Sequence, residues 1–167
     1  MPDFLYFAYG SNMLTRRLAA RTPSAVPLGT AYVEGYRLTF DKLSKDGSGK
    51  CNLQATGNPA DRAWGVLFRI ASIESAALDK AEGRGYRKGE VQAVTEAAIL
   101  PATTYFATEI DNTRRPYHSY KALVLAGAIE HSLPPVYVAG ISDVLSEQDP
   151  DAARRARDEA LVQDKAR

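Results

Sequence analysis

Strand-like alternation of apolar and polar residues crowds the first two thirds of the chain. Runs at 4–8, 31–40, 51–56 and 63–70 precede a helix at 72–82, and runs at 90–99 and 102–108 follow it. A parallel doubly wound sheet needs a helix between successive strands. Here several strands follow one another across short polar links such as Ser44 to Lys50 and Gly57-Asn58-Pro59. That order predicts an α+β fold. Within it, Ser72 is expected to start a helix whose Ile73, Ala76, Ala77 and Ala81 share one buried face and which Gly83 ends, while Pro101 suggests a hairpin turning across Leu100-Pro101. Helices are expected from Tyr117 to Ser132 and from Pro134-Pro135 to about Leu145. At 167 residues the chain suits one domain, 1–148, and the highly charged stretch 149–167 reads as a surface helix or tail.

The first run ends on Tyr9-Gly10-Ser11-Asn12-Met13, and a helical stretch at 14–18 follows directly. Such a junction leaves backbone N–H groups without internal acceptors, so a negative or carbonyl-like group is expected against it. Gly10 is expected to supply a positive φ and to keep a side chain out of the approach path; Ser11 or Asn12 is expected to cap the helix. With 21 Lys and Arg against 20 Asp and Glu, the net charge of +1 gives nucleic acid no field to follow. No apolar run reaches membrane-spanning length, so a small polar ligand is the expected partner, with no nucleic acid and no membrane. One cysteine, Cys51, and two isolated histidines, His118 and His131, offer neither an intrachain disulfide nor zinc-ligand spacing, and no metal is expected. Cysteine usage and the absence of a basic, apolar leader after Met1-Pro2-Asp3 point to the cytoplasm.

Tyr6-Phe7-Ala8-Tyr9-Gly10-Ser11-Asn12-Met13 is similar to the substrate loop of the gamma-glutamylcyclotransferase family, within the AIG2-like superfamily. Leu78-Asp79-Lys80-Ala81-Glu82-Gly83, with Tyr86 soon after, resembles that family's Leu-Asp-x-x-Glu-Gly segment, whose glutamate is its acid/base. Tyr105 and Tyr120 match in order and spacing the two tyrosines that line the family's pocket, and the resemblance runs from about Phe4 to Leu145. It implies a small mixed β-barrel flanked by helices, a cofactor-free enzyme that turns gamma-glutamyl compounds into 5-oxoproline, and a homodimer as an allowed state. By the same resemblance Glu82 is catalytic, Tyr9, Gly10, Ser11, Asn12, Tyr105 and Tyr120 bind substrate, and Asp79 and Tyr86 support them. The loop Gly83 to Gly89 departs from the animal-type pattern in being shorter and more basic.

The chemistry asks for few groups. In a gamma-glutamyl compound the α-amine reaches its own γ-carbonyl and closes a five-membered lactam, so the substrate supplies the nucleophile. The protein must fold the substrate, which in favourable cases is worth roughly 7–11 kcal/mol, and move protons off the α-ammonium and onto the departing amine. A carboxylate at a helix C-terminus among apolar neighbours suits that task, since both surroundings raise its pKa. Asp79, three residues earlier, is expected either to tune Glu82 by repulsion or to pair with Lys80 or Arg87. Two other readings stand beside this one: a non-catalytic binder of the same ligands, and an acyl transferase or amidohydrolase using Ser11 or Cys51 as nucleophile with His118 as base.

Overall fold

The computed structural model describes residues 2–164. Strand β1 (Asp3–Ala8) runs through a 3-10 turn (Ser11–Met13) into helix α1 (Thr15–Arg21), and strands β2 (Val26–Glu34), β3 (Tyr36–Leu43), β4 (Gly49–Ala55) and β5 (Arg62–Ala71) follow. A second 3-10 turn (Ser72–Glu74) enters α2 (Ser75–Glu82); β6 (Tyr86–Val94), β7 (Ile99–Ala107), α3 (His118–Glu130), α4 (Pro135–Ser142) and α5 (Ala152–Gln163) complete the chain. Five strands close a barrel in the order β1-β5-β2-β6-β7, and β3 with β4 makes a separate two-stranded sheet. The barrel is mixed: its neighbours pair antiparallel except at the seam, where β1 runs parallel to β7 with Tyr6 opposite Thr103. This is the α+β barrel that the resemblance implied. At the seam the buried Thr104 hydroxyl donates to the Phe7 carbonyl at 2.8 Å.

The core lies inside the barrel and under α3, where Phe7, Phe68, Leu67, Ile70, Val66, Met13, Leu18, Leu78 and Leu123 are sealed from solvent. Fully burying one such side chain is worth roughly 1.5–3 kcal/mol. Among the described residues no helix is long and apolar enough to cross a membrane. The last three residues of the charged segment, and Met1 of the stretch read for a leader, lie outside the described residues. Of that segment α5 packs against the body, with Arg16 donating to the Leu161 and Val162 carbonyls and Arg17 Nη1 standing 4.0 Å from Asp158 Oδ1.

Several local expectations are corrected. The stretch 31–40 is two strands, divided at Gly35, whose φ of +79° turns the chain where a side chain would strain it. The hairpin between β6 and β7 turns at Thr95 to Ala98, closed by the Thr95 N–H on the Ala98 carbonyl; Pro101 lies inside β7 opposite Gln92. Its missing N–H is tolerated because the parallel pairing to β1 registers further along, at Thr103. In α2 the buried residue is Leu78, while Ile73 is 75% exposed in the preceding 3-10 turn, which rotates it off the helix face. Neither Ser11 nor Asn12 caps α1: the helix is entered from Leu14, and Glu130 Oε1 takes the Thr15 N–H at 3.1 Å.

Candidate active site

Where β1 ends, the chain bends inward and brings Tyr9, Gly10, Ser11 and Asn12 against β4, the end of α2 and the start of β6. The result is a cavity lined by these four together with Tyr6, Cys51, Glu82, Tyr86, Tyr105 and Tyr120. Gly10 has a φ of −116°, not the positive value expected, and its role is the close approach: a Cβ there would stand 2.9 Å from the Cys51 Cβ.

Glu82 closes α2 one residue before Gly83. Its Oε1 accepts from Asn12 Nδ2 at 2.9 Å and from the Tyr6 hydroxyl at 3.2 Å, and Asn12 Nδ2 also reaches the Tyr6 oxygen at 3.1 Å. Both bonds to the carboxylate end on Oε1, so Oε2 keeps its lone pairs for a ligand. Behind this triangle Arg21 donates to Asn12 Oδ1 at 3.0 Å and Arg17 to the Ser11 hydroxyl oxygen at 3.1 Å. Burial raises the Glu82 pKa above its ordinary value, and the charge of Arg21, the Tyr6 hydroxyl, Arg17 and Lys42 pull against it.

Of the amides expected to form a cradle, Met13 and Leu14 spend theirs on the carbonyls of Gly10 and Ser11. The N–H groups of Gly10, Ser11 and Asn12 find no acceptor among the described residues. The unfilled donors beside the cavity therefore belong to Gly10 and the start of the 3-10 turn.

The tyrosines are fixed by their own hydroxyls. Tyr9 donates to the Tyr105 carbonyl at 2.5 Å, Tyr105 to Asp79 Oδ1 at 2.5 Å and Tyr86 to the Cys51 carbonyl at 2.7 Å, while the Tyr120 oxygen accepts the Cys51 N–H at 3.1 Å. Burial holds the phenols of Tyr6, Tyr9, Tyr86 and Tyr120 well above their ordinary range, so all four stay neutral. Asp79 is outside the cavity lining: it holds Tyr105 and pairs with Lys88 at 3.2 Å, and neither Lys80 nor Arg87 is its partner.

Two groups at the heart of this arrangement, Tyr6 and Arg21, escaped the sequence reading. The one signal for Tyr6 is a polar tip inside an otherwise apolar strand, which demands a buried partner. Arg21 carries none, because only the fold turns α1 back over Asn12. The nucleophile reading finds no base. Ser11 Oγ is engaged by Arg17, burial pushes the Cys51 thiol up to about 12, and His118 Nδ1 sits 2.6 Å from Ser146 Oγ, away from the cavity lining.

The AIG2-like family model matches residues 62–141. The chain is 33% identical to the gamma-glutamylcyclotransferase of Bos taurus over 150 residues, spanning 85% of this chain and 79% of that protein. It is 32% identical to the gamma-glutamylcyclotransferase of Mus musculus over 148 residues, spanning 80% and 74%. Among solved structures, one of a gamma-glutamyl cyclotransferase superposes with a TM-score of 0.86 at 26% identity, over 98% of this chain and 99% of that one.

Proposed function

Because the chain belongs to the gamma-glutamylcyclotransferase family, we propose that it converts a gamma-glutamyl amino acid or amine into 5-oxoproline and the free amine, with Glu82 as general base and then general acid. The observation that carries this reading is a half-buried carboxylate with one oxygen held by Asn12 and Tyr6, in a cavity that Gly10, Ser11 and Asn12 also line.

Glu82 Oε2 takes a proton from the α-ammonium, and the freed nitrogen attacks the γ-carbonyl carbon. The oxygen gains the negative charge as the C–N bond of the ring forms. Collapse of that intermediate breaks the bond to the leaving nitrogen, which receives the proton held by Glu82; the ring nitrogen then gives up its second proton through the same carboxylate to the departing amine, which leaves as an ammonium. Backbone donors suit both the substrate carboxylate and the developing oxyanion, and a well-placed oxyanion donor is worth about 3–4 kcal/mol. Tyr9, Tyr105 and Tyr120 shape the wall against which the glutamyl chain folds, and Tyr86 and Asp79 hold that wall in place. No step needs a cofactor. The reading carries with it a cytoplasmic location and allows a homodimer, and the molar mass from light scattering would test the second.

The deciding experiment is release of 5-oxoproline from a panel of gamma-glutamyl compounds by the purified protein and by Glu82→Gln. Turnover is expected to fall by about 10²–10⁴-fold in the variant while 5-oxoproline still binds. A wild type inert on every compound but able to bind 5-oxoproline would favour the binding-module reading.

A further inference from the structure

Lys42 is 8% exposed, and among the described residues its ammonium has neither an ion pair nor a hydrogen bond. Its Nζ stands 4.9 Å from the centroid of the Tyr86 ring, which lines the candidate cavity. The stem of the side chain is buried while the ammonium at its end keeps contact with solvent and stays open to an anion. The nearest like charge makes matters worse. Lys42 and Lys50 are directly opposed across β3 and β4, an arrangement that costs stability. Lys50 is itself engaged, 3.7 Å from Asp46 and with its Nζ 5.6 Å from the ring centroid of Tyr120, another cavity residue.

Two local devices put Lys42 there. Between the pairs Thr39–Asn52 and Lys42–Lys50, two residues of β3 oppose the single residue Cys51 of β4, and this bulge buries Phe40, Asp41 and Lys42 in succession. Bulges of this kind re-aim side chains beside functional sites. Gly85 then leaves room for the ammonium, since a Cβ at that position would stand 2.6 Å from Lys42 Cε and Nζ. Lys42 is also close enough for its charge to hold the Glu82 carboxyl down.

We propose that Lys42, with Lys50 beside it, anchors a carboxylate carried by the leaving group, and so sets the preference of this chain for gamma-glutamyl amino acids over gamma-glutamyl amines of the same shape. The inference rests on the cyclotransferase reading. The open amides of Gly10 to Asn12, backed by Arg21 and Arg17 through Asn12 and Ser11, suit the charges of the glutamyl part itself. Lys42 stands just outside the cavity lining, over the ring of Tyr86 and on a different element, where it offers a second anion site.

The test compares kcat/KM for gamma-glutamylalanine and gamma-glutamylethylamine, which differ only in that carboxylate. Wild type is expected to favour the alanine compound, and Lys42→Met to shrink the ratio of the two kcat/KM values by about 10- to 100-fold. Lys42→Arg is expected to keep most of the preference. Gly85→Ala pushes aside the flexible end of Lys42 without touching its charge, and is expected to shrink the same ratio even where Lys42→Met folds poorly. A ratio unchanged in both Lys42→Met and Gly85→Ala, or a wild type indifferent to the carboxylate, overturns the proposal. Release of 5-oxoproline from neither compound by the wild type overturns the cyclotransferase reading beneath it.

Discussion

Tyr6, with Arg21, works against the burial that raises the Glu82 pKa. Its hydroxyl donates to Oε1 and stabilises the ionised form, so Tyr6→Phe removes one of the groups holding the carboxyl pKa down. The acidic limb of the kcat/KM–pH profile is expected to move to higher pH in that variant, because the base must be ionised to act. An unmoved limb would mean that Tyr6 only fills space. Glu82 also makes a signed statement about stability. Its folded pKa lies above the ordinary 4.5, so its contribution to stability is complete below that value and is lost as pH rises through the folded value. At neutral pH the ionised group strains the fold, and Glu82→Gln is expected to melt higher than wild type, with the gap closing as pH falls towards 4.5. Melting curves at pH 7 and pH 4.5 check it. That Glu82 and Asn12 meet at one cavity was legible because short motifs carry them, and that Tyr105 and Tyr120 join them because their order and spacing match the family's. Lys42 and Arg21 were not, since a bulge and a helix turn place them and neither leaves a local pattern.

At the level of elements, the sequence reading succeeded where periodicity was long and failed where a single residue decided the backbone. Helix α3 and strand β5 came out close to their observed bounds. The split at Gly35, the place of Pro101 within β7 and the 3-10 turn before α2 depend on φ values and on which edge of a strand is paired, and composition records neither. The charged C-terminal segment proves firmly docked. Asp149, 1% exposed, accepts from Arg154 Nε and Nη2 at 2.6 Å each and from the Asp151 N–H at 2.8 Å. Those bonds hold its carboxyl below the ordinary 3.8, so the stability they give is present above that value and is lost as pH falls through the folded one. Asp149→Ala is expected to cost about 1.5–3 kcal/mol at pH 7 by denaturant titration. An equally stable variant would show that α5 docks by its apolar side alone.

For the whole molecule, mixed topology was legible only through resemblance, because no local pattern says that β1 lies beside β7. The closure itself is testable. Thr104→Val keeps the volume but strips the hydroxyl from the Phe7 carbonyl, and is expected to destabilise the protein by about 1–3 kcal/mol by leaving a buried acceptor unpaired. Urea titration reads that loss, and an unchanged midpoint would mean that side-chain packing alone holds the seam.

The seam also sets an order of events. Phe7 and Thr104 are 97 positions apart, so the ring stays open until a ribosome has delivered β7, and contacts of such long range slow folding. A nascent chain halted in the turn at residues 95–98 already contains Tyr6, Asn12 and Glu82 yet lacks the wall that encloses them. The carboxylate of Glu82 is thus made before the walls that shelter it, which arrive with β7 and α3 as the barrel shuts.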